Sequence, residues 1–85
     1  CVQQDLRPAL SEYPGAETYG GDEYRLVNMT PQSCQNWCTN EPLCRSAVYV
    51  IGYDYCYVKY FTAVDHPERW STGKSYLILF QRTCA

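Results

Sequence analysis

No stretch of this chain approaches the roughly 20 consecutive apolar residues that a membrane helix requires. The longest apolar runs, Ala47 to Ile51 and Leu77 to Phe80, are strand-sized, so membrane insertion by a helix is not expected. Histidine is nearly absent, with His66 alone in a proline-flanked segment, and there is no C-x-x-C pair. Zinc sites need paired ligands at close spacing, so neither a metal nor another cofactor is expected. Basic residues nowhere cluster, which argues against nucleic acid or heparin as the main partner. Repeats and low-complexity tracts are also missing. No signal peptide is visible and the chain begins at Cys1 rather than Met. The expectation is therefore a mature or excised form, and the lack of any linker before Cys1 favours a free-standing secreted protein.

What is present is a cysteine framework. Six cysteines in 85 residues, Cys1, Cys34, Cys38, Cys44, Cys56 and Cys84, give a central C-x3-C-x5-C-x11-C cluster flanked by one cysteine near each end. An even count in so short a chain reads as disulfides, and hence as an oxidising, extracellular setting. The length suits one domain spanning residues 1–85, and a core of that size needs such staples. Hydrophobic residues make up 46% and tyrosines number nine, which excludes a disordered chain. The net charge of −2 is unevenly spread: residues 1–23 carry five acids against Arg7, whereas residues 24–85 carry six bases against four acids.

Residues 2–23, with Pro8, Pro14, Gly15, Gly20 and Gly21, read as a loop holding at most one short strand. Tyr24 to Val27 is a short strand candidate. Thr30-Pro31 announces a helix, because threonine caps and proline suits the first helical position. The helix runs to about Asn40 and must stop before Pro42. Cys34 and Cys38 are four apart and share one helical face. Ser46 to Ile51 and Cys56 to Phe61 form a hairpin around Gly52-Tyr53-Asp54-Tyr55. Alternation puts Cys56, Val58 and Tyr60 on one face and Tyr55, Tyr57 and Lys59 on the other. Residues 62–75 read as a polar loop, and Tyr76 to Phe80 as a final strand. The fold class is α+β: a small disulfide-rich domain with one helix packed on an antiparallel sheet.

The stretch T-P-Q-S-C-Q-N-W-C-T-N-E-P-L-C-R-S-A-V-Y-V, followed by C-Y-V-K, resembles the PAN/apple domain family. That family has a helix with C-x3-C, a third cysteine opening a strand, and C-x-Leu-K, where this chain has Val58 for the leucine. The resemblance covers about Tyr24 to Cys84, plus Cys1, and is weak over residues 2–23. Six cysteines allow fifteen pairings; the resemblance implies Cys1–Cys84, Cys34–Cys56 and Cys38–Cys44. An end-to-end bond would be worth about 4–5 kcal/mol on the chain-entropy model. The resemblance also implies a module that binds proteins or carbohydrates.

A catalytic reading finds no convergent acid, base and nucleophile. Asp65 and Ser71 are near His66 only in sequence, and nearness along the chain is not triad geometry. Two segments are better candidates for binding. Tyr53, Asp54 and Tyr55 cluster at the hairpin turn beside Tyr57. Aromatic rings stack on the apolar faces of sugars, a nearby carboxylate accepts from hydroxyls, and polar-tipped rings also suit protein interfaces. Against this stands ordinary packing of aromatics on a sheet. In the 62–75 loop, Asp65, Arg69 and Trp70 gather an acid, a base and a ring, with His66 and Glu68 between them; the competing reading tucks Trp70 into the core. Trp37 belongs at the core or against a disulfide. Asn28-Met29-Thr30 is an N-glycosylation sequon.

The leading expectation is a secreted, non-enzymatic, lectin-like module recognising an extracellular carbohydrate or glycoprotein. The alternative is a protein-directed module, acting as adhesion unit, inhibitor or secreted effector. A third reading is a purely structural domain of a larger extracellular protein.

Overall fold

The computed structural model describes residues 10–82. The Cys1–Cys84 bond implied by the resemblance lies outside the described residues.

The helix α1, Pro31–Asn40, starts where the local chemistry directs. The Thr30 hydroxyl accepts from the Ser33 N–H at 3.1 Å, and the Ser33 hydroxyl accepts from the Thr30 N–H at 2.8 Å. This reciprocal pair satisfies two otherwise orphaned donors, and Pro31 follows where its missing N–H costs nothing. Glu41 turns extended and the helix ends at Asn40, two residues before Pro42. Its inward face carries Cys34 and Cys38, both fully buried.

Strands β1 (Leu10–Pro14), β3 (Asp22–Leu26), β4 (Ser46–Val50), β5 (Tyr55–Lys59) and β7 (Leu77–Arg82) form one antiparallel sheet in the order β1-β7-β4-β5-β3. The remaining strands, β2 (Glu17–Thr18) and β6 (Trp70–Ser71), pair with each other as a separate ribbon. Two disulfides bind the helix down. Cys34–Cys56 ties it to β5, with 5.6 Å between Cα atoms. Cys38–Cys44 ties its last turn to the lead-in of β4, at 5.2 Å.

Three segments differ from the sequence expectation. Residues 10–23 are not a loop: they supply β1, β2 and the start of β3. Leu10 pairs with Arg82 and Pro14 with Ile78, so β1 is held by a partner about seventy positions away. Pro14 fits because it ends the strand. The 62–75 segment contains a 3-10 turn, Pro67–Arg69, followed by β6, which pairs with β2. Strand β7 starts at Leu77 rather than Tyr76 and continues to Arg82.

The sheet packs on both faces. On the helix side, Leu10, Ala47, Tyr49, Cys56, Val58 and Phe80 meet Cys34 and Cys38, with Trp37 packed against them. On the other side a smaller cluster of Ala16, Val48, Leu77 and Leu79 is flanked by Tyr13, Val50 and Tyr57. Tyr55, Tyr57 and Lys59 therefore point away from the helix, as alternation along β5 requires.

Candidate functional site

The β2–β6 ribbon covers only part of the sheet face opposite the helix. Beside it an open cleft of about 300 Å³ remains. Val48, Val50, Tyr57 and the buried Lys59 lie along its floor, Glu17, Gly20 and Asp22 form one wall, and Tyr76 stands at its edge. That volume sits at the small end of ligand pockets in general. Lys59 is almost completely buried. Its ammonium donates to the Gly20 carbonyl at 2.9 Å and pairs with the Asp22 carboxylate, which fixes the wall against the floor. Glu17 faces Lys74 at 3.8 Å. Both wall acids thus have a cation at hand, and the cleft has no strong excess of one sign.

From the floor an aromatic row leads to the hairpin tip. Tyr57 meets Tyr55 edge-on at 6.2 Å, and Tyr55 stacks on Tyr53 at 5.7 Å. The Arg25 guanidinium lies over the Tyr55 ring at 5.0 Å. Tyr53 is 71% exposed.

The wall owes its position to two glycines with positive φ. A Cβ on Gly20 would come within 2.6 Å of the Arg69 guanidinium, and one on Gly21 within 2.7 Å of the Phe61 ring. At Gly21 glycine lets the backbone pass this close to the ring, whereas at Gly20 the neighbour is the flexible end of Arg69 and the positive φ is what favours glycine. Arg69 itself lies over the Phe61 ring at 5.2 Å and donates to the Tyr19 carbonyl. The Tyr19 hydroxyl in turn donates to the Glu68 carbonyl at 2.8 Å.

The six residues singled out in the sequence fall in different places. Tyr53, Asp54 and Tyr55 adjoin one another at the β4–β5 tip. Asp65 and Arg69 lie at the opposite end of that hairpin, where Asp65 accepts from the Thr62 N–H at 3.3 Å and faces Arg45 at 3.8 Å. Trp70 sits on the ribbon opposite Thr18, 40% exposed and edge-on to Tyr13 at 5.7 Å. The two groups do not converge. Asp54 is partly occupied from within: it accepts from the Tyr49 hydroxyl at 2.5 Å. That bond, then burial, then the carboxylate's charge raise the Tyr49 phenol above its ordinary value. Glu68 is held below the usual carboxylate value, first by a backbone hydrogen bond and then by its bond to His66.

Sequence reasoning did not single out Glu17, Val48, Val50 or Tyr76, and it read the adjacent acids Asp22 and Glu23 as serving solubility. Tyr57 and Lys59 were legible as facing away from the cysteines, but no local signal brought the 17–22 wall to them. Among the described residues no group of three or more His, Cys, Asp or Glu side chains could hold a metal, and no helix is long and apolar enough to cross a membrane.

A family model described as the PAN domain matches residues 9–84. No curated protein matches the chain.

Proposed function

The chain belongs to the PAN domain family, whose members bind proteins or carbohydrates, and on that premise we propose that it is a secreted, lectin-like module that seats a neutral glycan in the cleft opposite the helix. The observation that carries this reading is the cleft's continuity through Tyr57 with the Tyr55 ring. A sugar ring has an apolar face that stacks on an aromatic ring, and a rim of hydroxyls that needs acceptors. Tyr57 and Tyr76 offer rings at the cleft, while Glu17 and Asp22 offer carboxylate oxygens. Because those acids already face Lys74 and Lys59, an uncharged ligand suits them better than a polycation. The module acts by binding rather than by catalysis, outside the cell, where its disulfides persist.

The test is a glycan array and a set of insoluble cell-wall polysaccharides, probed with the disulfide-intact protein. A specific hit should be competed by free sugar and weakened about tenfold by Tyr76→Ala or Tyr55→Ala, the loss of one stacking contact of about 1.4 kcal/mol. Absence of any competed hit, or hits untouched by both variants, rejects the proposal.

A second surface supports the protein-directed alternative. On the helix side Tyr24 is 51% exposed and meets Trp37 and Tyr60 edge-on at 6.0 and 6.4 Å. Tyr24→Ala would weaken a protein partner and leave a glycan hit untouched.

A further inference from the structure

We propose that Asn28 carries an N-linked glycan in the secreted protein, and that this glycan screens the hairpin tip while leaving the cleft open. Asn28-Met29-Thr30 has the acceptor asparagine, a non-proline middle residue and the threonine hydroxyl that such modification requires. The fold leaves room for the product. Asn28 lies on the exposed connection between β3 and α1, with a left-handed φ of 56°. Asparagine tolerates that conformation better than most residues.

Thr30 meanwhile caps the helix, so one side chain serves the modification on the nascent chain and the cap in the folded one. The next residue, Met29, donates its N–H to the Asp54 carbonyl at 3.0 Å, which sets the sequon directly against the β4–β5 turn. A glycan on Asn28 therefore projects beside Asp54 and Tyr53. The cleft opens on the sheet face opposite the helix, whereas Met29 beside the acceptor packs against the helix-side core, so the glycan and the cleft belong to opposite faces of the sheet. The screening half of this proposal rests on the glycan-binding reading of the cleft; occupancy of Asn28 does not.

Protein secreted from eukaryotic cells is digested, and the Asn28 peptide is weighed before and after enzymatic removal of N-glycans. The expected result is a hexose-bearing peptide that collapses to one carrying aspartate at position 28. Thr30→Ser keeps both acceptor and cap and should remain modified. Asn28→Gly removes the acceptor while suiting the positive φ, so it should be unmodified yet equally stable. An unmodified Asn28 peptide from correctly disulfide-bonded secreted protein overturns the proposal. Screening is read separately by nitrating Tyr53 with tetranitromethane, which should proceed several-fold faster after glycan removal. Equal rates before and after removal would reject the screening half, as would a cleft ligand that binds only the deglycosylated form.

Discussion

Arg82 shows how one side chain closes a helix end. Its Nε donates to the Cys44 carbonyl at 2.7 Å, and its Nη2 donates to the Cys38 and Thr39 carbonyls at 2.7 and 3.1 Å. The last carbonyls of a helix have no partner within it, and the planar fork satisfies several at once. Arg82→Ala should cost about 2–3 kcal/mol in urea unfolding. Arg82→Lys should recover less than half of that, because a single ammonium cannot span the same carbonyls; full recovery would show that charge alone matters. The tyrosines predict a pH dependence. Tyr49 is raised by its bond to Asp54, and Tyr60 is pushed up to about 12, first by its bond to Tyr24. Unfolded phenols lose their protons near pH 10, before these two do in the native state. Stability is thus fully present below about pH 10 and falls as pH rises from there towards 12. Tyr49→Phe should shrink the fall; a melting temperature that is flat across this range contradicts the assignment.

At the scale of elements, legibility follows where the stabilising contacts lie. The helix was readable because Thr30, Pro31 and Pro42 are signals within its own span, and the hairpin because residues 52–55 separate two β-rich runs. Strand β1 was not, because its pairing with β7 joins residues about seventy positions apart and its own sequence, with Pro14 and scattered polar residues, has weak strand preference. The β2–β6 ribbon is two residues long on each side and has no detectable period. The candidate site divides in the same way. The alternation of Tyr55, Tyr57 and Lys59 was visible, whereas Glu17 and Asp22 reach them only through the Gly20-Gly21 turn. That turn makes a prediction. Gly21→Ala places a Cβ against the Phe61 ring at a positive φ, and should cost about 1–3 kcal/mol. Gly52→Ala has open space around its Cβ and a positive φ, so it should carry the backbone cost alone and be the milder change. Equal costs in denaturant unfolding would mean that the close approach of the wall is immaterial.

At the scale of the molecule, among the described residues, the helix and two disulfides crowd one face of the sheet and a two-residue ribbon packs on part of the opposite face. A small core gains much from such staples: on the chain-entropy model the Cys34–Cys56 bond, 22 positions apart, is worth about 3 kcal/mol. The consequence for function is an asymmetric body, rigid behind and open in front, with aromatic rings leading out of the cleft. The most direct measurement is the affinity of the disulfide-intact protein for a competed glycan hit, compared with that of Tyr76→Ala under conditions where both melt alike. A loss of about tenfold, one stacking contact, is the expected result. An unchanged affinity, or a failure of every glycan to bind, would contradict the placement of a sugar in the cleft.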